Sequence, residues 1–111
     1  MPAPYATLLI EKEGPIDWVT LNRPEALNTL NGQMVDDLLD YFGGLYFDRK
    51  TRIVVLRGAG RAFCAGLDLG GWTPDPDAGP IHQSWRTQRM IAAVMQAMRK
   101  CPQPIIACAQ G

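Results

Sequence analysis

Neither sign of charge is in excess in this chain, because eleven basic residues meet eleven acidic ones. The balance supplies no electrostatic footprint for nucleic acid and no attraction to an anionic membrane surface. No apolar run approaches the roughly 18 residues that a bilayer-crossing helix requires, and residues 1–7 lack the basic-then-apolar order of a secretory signal. Cysteine is scarce and odd in number. Cys64, Cys101 and Cys108 contain no CxxC pair, which argues against a disulfide framework and for reduced thiols, with the cytoplasm as the default compartment. Histidine occurs once, at His82, and neither an internal repeat nor a low-complexity run interrupts the chain.

What is present suits a folded domain. A hydrophobic fraction of 47% against a charged fraction of 20% is globular, not disordered. The 111 residues suffice for one modest unit, 1–111. Tyr5 to Lys12 and Ile16 to Asn22 are partly β-branched apolar runs separated by Glu13-Gly14-Pro15, which predicts two strands joined by a turn. Arg23-Pro24 stops the second. Asn31 is placed to cap a helix reaching about Phe47, with Met34, Leu38, Tyr41, Phe42 and Leu45 along one face. Gly43-Gly44 conflicts with that helix by about 1 kcal/mol per glycine, so either an interruption or a closely packed neighbouring backbone is expected. The carboxylates of Asp36, Asp37 and Asp40 read as a solvated face.

Ile53 to Leu56, with no polar residue, predicts a strand covered on both faces, as in a parallel sheet. A glycine-rich loop, Gly58 to Gly71, follows, and Trp72 to Pro80 is rich enough in proline and aspartate to predict a mobile surface segment. A second helix from about Ile81 to Lys100 carries a stripe of Ile81, Trp85, Ile91, Val94, Met95 and Met98. Arg99-Lys100 suits the negative end of its dipole, and Pro102 and Pro104 stop it. Ile105 to Ala109 is then a further short buried strand. The order ββ-α-β-loop-α-β predicts α/β architecture with right-handed crossovers. A parallel sheet needs both faces covered, and the last strand has nothing to cover it, so the expectation is an interrupted unit whose exposed apolar strand aggregates or takes a partner.

The loop Gly58 to Trp72, GAGRAFCAGLDLGGW, is the segment with chemical promise. It fails as a dinucleotide fingerprint, since Phe63 stands where the third glycine belongs, and it fails as a P-loop for want of Gly-Lys-Ser/Thr. Its small residues would let a ligand approach the backbone and leave peptide N–H groups to meet it. On composition alone a plain strand-to-helix connection serves equally well. Cys64 fits a small packed thiol better than a nucleophile. His82 fits a solvated helix start better than a general base. Trp72 and Trp85 would suit either an acyl pocket or ordinary packing, and zinc held by Cys64, His82, Cys101 and Cys108 would need spacings that no common site shows.

Gly58 to Leu69 resembles the crotonase (enoyl-CoA hydratase/isomerase) signature G-x-G-x-x-F-[CS]-A-G-x-D-[LI]. LNRPEALNTL at Leu21 to Leu30 and PIIACAQG at Pro104 to Gly111 are similar to two further segments of that family, in the same order. The resemblance covers nearly the whole chain and implies the N-terminal part of a crotonase (ClpP-like) β/α spiral. It implies an acyl-CoA enzyme that stabilises the enolate oxyanion of a CoA thioester. Coenzyme A would enter as part of the substrate, with no separate cofactor and no metal, and the whole protein would assemble as a homotrimer or hexamer. It also implies an oxyanion donor at the backbone N–H of Leu67, where many relatives carry Ala. Residues Ala65, Gly66, Leu67, Asp68, Leu69 and Gly70 would lie against the adenine end of CoA, Ala26 and Leu27 along the pantetheine and phosphates, and Gly111 near the same ligand. Asp68 is expected to tie the loop to nearby N–H groups, and Asn28 to stabilise a turn and helix start. In the family the second donor and the acid/base carboxylates fall beyond the position of Gly111. The alternative is a non-catalytic CoA-binding or interaction fragment of the same kind.

Overall fold

The computed structural model describes residues 5–68, 72, 77 and 79–110. Strands β1 (Leu8–Glu13) and β2 (Ile16–Leu21) form an antiparallel hairpin. Its turn uses Gly14 at φ +59°, a conformation that glycine adopts without steric cost. After a 3-10 turn at Pro24–Ala26 come helix α1 (Gly32–Leu45), strand β3 (Ile53–Gly58), helix α2 (Pro80–Lys100) and strand β4 (Ile105–Cys108). The described sheet runs β1-β2-β3-β4, with β2, β3 and β4 mutually parallel. The α/β expectation and its element order therefore hold.

Alternation along the strands decides the core. Val19 pairs with Leu56 across the parallel register, and Leu8, Val19, Leu21, Val54 and Leu56 are buried in one cluster with Met34, Val35, Leu38, Phe42 and Leu45 of α1. Asn31 caps α1 as expected, its Oδ1 accepting from the Met34 N–H at 2.9 Å. Helix α1 runs through Gly43-Gly44 without interruption, and a Cβ at either position would meet nothing within 4 Å. Neither expected explanation applies, and tertiary burial of Phe42 and Leu45 carries the helix past its weak point.

Three expectations about faces are corrected. Asp37 is buried, not solvated, accepting from the Thr7 N–H and hydroxyl (3.0 and 2.6 Å) and from Gln33 Nε2 (2.8 Å). On α2 the buried side runs through Thr87, Val94 and the capping Cys101, with Ile91 and Met98 partly covered. Ile81, Trp85 and Met95 are exposed, because at 100° per residue Trp85 lies almost opposite Thr87 and Met95 lies a quarter-turn from Val94. Strand β4 is not buried either: Ile106 is 53% exposed, since β4 is the edge of the described sheet. No helix among the described residues is long and apolar enough to cross a membrane. Most of Trp72 to Pro80, expected to be mobile, lies outside the described residues.

A buried carboxylate ties the hairpin to α1. Asp17, 1% exposed, accepts from the Tyr41 hydroxyl at 2.7 Å and from Lys12 Nζ at 2.9 Å. Burial, then the hydrogen bond to Asp17 and its charge, push the Tyr41 hydroxyl well above its ordinary value of 10.0. The unfolded chain therefore releases this proton first, so the contribution is complete below pH 10 and lost as pH climbs toward the folded value. Tyr5, raised by burial and by its hydrogen bond to Asp40, acts in the same direction. Thermal melts at alkaline pH are expected to show wild-type stability falling above about pH 10, a flatter limb in Tyr41→Phe, and a flatter one still in Tyr5→Phe/Tyr41→Phe. An identical slope in all three would refute this origin.

Candidate functional site

The site is built where two loops leave the same ends of β2 and β3. From Leu21 the chain turns through Pro24–Ala26, then places Leu27 and Asn28 in the left-handed region, each at φ +54°. Such a pair costs energy in non-glycine residues unless something repays it locally. Asn28 supplies that compensation with a fully buried side chain. Its Oδ1 accepts from the Arg23 N–H at 2.7 Å, and its Nδ2 donates to the Ala59 and Ala62 carbonyls, both at 2.9 Å. The expected turn stabiliser thus also staples the first loop to the second.

The second loop leaves β3 at Gly58, where a Cβ would sit 2.5 Å from the Phe63 carbonyl oxygen. Only glycine permits that fold-back. Gln110 closes the loop from beyond β4, its carbonyl accepting from the Phe63 N–H at 3.0 Å and its Nε2 donating to the Gly58 carbonyl at 2.7 Å. Gly66 meets a different demand. Its φ is +106° with open space around it, so backbone conformation and not room requires glycine there.

The two loops then run side by side. The Ala65 N–H donates to Leu27 O (3.0 Å), the Leu30 N–H to Gly66 O (2.7 Å), and the Asp68 N–H to Leu30 O (2.9 Å), making a parallel bridge between Leu30 and Leu67. In that pattern the residues flanking Leu67 make both bonds, and Leu67 turns its own N–H to the other side. That N–H has no protein partner among the described residues. Leu67 and Asp68 line a cleft of about 330 Å³, with Trp72 beside them and Pro80, Gln83, Ser84 and Thr87 of α2 across from them.

Of the residues singled out from sequence, Ala26, Leu27, Ala65, Gly66, Leu67 and Asp68 are brought into this one corner. Leu69, Gly70 and Gly111 lie outside the described residues. Asp68 is tied to a guanidinium, with Arg23 Nη2 at 3.1 Å from its Oδ2. Trp72 lines the cleft, whereas Trp85 is exposed on α2 with Arg89 stacked over it. His82 is exposed beside Trp85, ring centroids 5.8 Å apart, and away from the cleft lining. Cys64 is half-buried, Cys101 buried and Cys108 exposed, all as free thiols. Sequence reasoning missed the roles of Arg23 and Gln110. The one available signal was a lone arginine ahead of a proline turn, with an aspartate far downstream needing a cation.

Residues 11–111 match the family model for enoyl-CoA hydratase/isomerase, and the chain belongs to that family. It is 33% identical over 104 residues to the 1,2-epoxyphenylacetyl-CoA isomerase of Escherichia coli K12, a match covering 94% of this chain and 40% of that protein. It is 37% identical over 84 residues to 3-hydroxyisobutyryl-CoA hydrolase 1 of Arabidopsis thaliana, covering 76% of this chain and 21% of the relative. The crystal structure of an enoyl-CoA hydratase/isomerase from Marinobacter aquaeolei superposes with a TM-score of 0.83 at 33% identity, over 95% of this chain and 41% of that one. The chain therefore spans about two-fifths or less of the length of these relatives. The fold is that of the N-terminal part of the crotonase unit.

Proposed function

We propose that this chain binds an acyl-CoA thioester at the paired loops and that the Leu67 N–H donates to the thioester carbonyl oxygen. The observation that carries this reading is the Leu67 N–H, unpartnered among the described residues and held by hydrogen bonds on both flanking residues. A donor fixed beforehand loses no reorganisation energy when negative charge grows on the oxygen, and such donors are worth about 2.7–4 kcal/mol each. Ala26, Leu27 and residues 65–70 would lie along the CoA moiety, with the acyl group directed toward the cleft beside α2. The reaction class is that of the hydratases and isomerases, which pass through an enolate. The second donor and the acid/base carboxylates would come from the part of the family's length that these residues do not span, as would contacts that build a trimer or hexamer.

A non-catalytic CoA-binding module is the second reading, favoured by the absence of any carboxylate except Asp68 from the described cleft lining. Calorimetric titration with crotonyl-CoA and with free CoA is expected to give saturable binding, tighter for the thioester. Absence of heat up to millimolar ligand would remove both readings. Loss of the enoyl absorbance of crotonyl-CoA under catalytic amounts of the chain would select the enzyme over the module.

A further inference from the structure

We propose, resting on the thioester reading above, that Arg23 is the positioning residue of the Leu67 donor, bridging the two loops across the bond pair that holds it. The Arg23 guanidinium donates through Nη1 to the Thr29 carbonyl and pairs through Nη2 with Asp68 at 3.1 Å. Thr29 immediately precedes Leu30, and Asp68 immediately follows Leu67. The guanidinium thus spans the same two backbone segments that the Leu30–Leu67 bridge joins. Its own backbone is fixed in turn by the Asn28 side chain. The side chains of Arg23 and Asp68 are only 16% and 23% exposed, so water competes weakly for this contact. A planar fork can hold a carbonyl and a carboxylate together, which a point charge on a flexible stem does poorly.

Charge gives Arg23 a second effect. Asp68 puts a carboxylate one residue from the donor, where negative charge develops in an enolate, and like charge opposes that development. A cation held on Asp68 offsets the opposition while leaving the donor geometry intact. Arg23 itself is not among the described residues that line the cleft. Its removal should alter how strongly the carbonyl is polarised much more than how tightly CoA is held.

Two readouts on the 111-residue chain separate these effects. Nitrogen-15 relaxation without ligand is expected to place the Leu67 amide near the rigid value of about 0.85 in wild type and clearly lower in Arg23→Met. Asp68→Asn, which removes the pair from its other side, is expected to loosen the same amide and keeps the test open should Arg23→Met fail to fold. A Leu67 order parameter unchanged from wild type in a folded variant of either kind overturns the proposal. Titration with a chromophoric dimethylaminocinnamoyl-CoA reads polarisation as a red shift. Arg23→Met is expected to retain affinity within about threefold, under 1 kcal/mol, yet lose at least half of that shift. Arg23→Met/Asp68→Asn should recover part of the loss, because the opposing carboxylate is gone too. A full red shift in Arg23→Met would also overturn the proposal. If wild type binds no chromophoric thioester, the thioester reading falls, while the amide measurement still decides whether Arg23 positions Leu67.

Discussion

Asn28→Ala is expected to destabilise the chain by about 2–4 kcal/mol, because truncation leaves two carbonyls and one N–H, all partly buried, without their partner. The amide is fully buried and makes three hydrogen bonds, to Arg23, Ala59 and Ala62. A small part of the loss is conformational, since alanine tolerates the left-handed φ of +54° less well than asparagine. Asn28→Gly removes that part and keeps the rest, so it should recover no more than about 1 kcal/mol relative to Asn28→Ala. Urea titration would measure both. A loss below about 1 kcal/mol in Asn28→Ala would show that water replaces the side chain at little cost. Because the bonds cross from one loop to the other, the variant should also loosen the Gly58 to Phe63 segment in hydrogen exchange.

Leu67→Pro should produce the largest functional effect, about 10²–10³-fold in stabilisation of an oxyanion on a bound thioester. Proline deletes the Leu67 N–H, which the loop pairing leaves unused among the described residues. The bonds of Gly66 and Asp68 to Leu30 do not involve it, so the ladder loses no partner. Leu67→Ala keeps the donor and is the matched control. The measurement is affinity for the enolate of acetoacetyl-CoA relative to free CoA. Leu67→Pro is expected to lower that ratio strongly with free-CoA affinity little changed, whereas Leu67→Ala leaves the ratio near wild type. A fall of less than about tenfold in the proline variant, 1.4 kcal/mol, would mean that the Leu67 N–H is not the donor.

Both predictions concern a corner whose parts were partly legible beforehand. The turn-stabilising role of Asn28 was implied by its place in the segment that resembles the family motif. The reach of its buried amide to Ala59 and Ala62 was not, since that contact spans over thirty residues of chain. Leu67 was located by its place in a motif, but composition alone left the loop open to a mere connecting role. The missing information was the direction of one N–H, which depends on Leu30 pairing alongside. Asp37 shows the same division on a smaller scale. Its helical phase put it beside the apolar face, and only the approach of Thr7 turned it into a buried acceptor.

The amino-acid sequence by itself determined the hairpin, the Asn31 cap, both helices within about two residues, the glycine-rich loop and the family that its motifs resemble. These features follow from short-range causes: turn chemistry, side-chain periodicity and the steric needs of particular glycines. Tertiary structure alone decided that Ile81, Trp85 and Met95 face outward and that Arg23 holds Asp68. It also decided that residues 27–30 lie against residues 65–68, freeing the Leu67 N–H. The physical reason is common to all three. Each depends on which distant element lies within hydrogen-bonding or packing distance: α2 takes its buried face from packing on α1, and the two loops meet only when β2 and β3 pair in register.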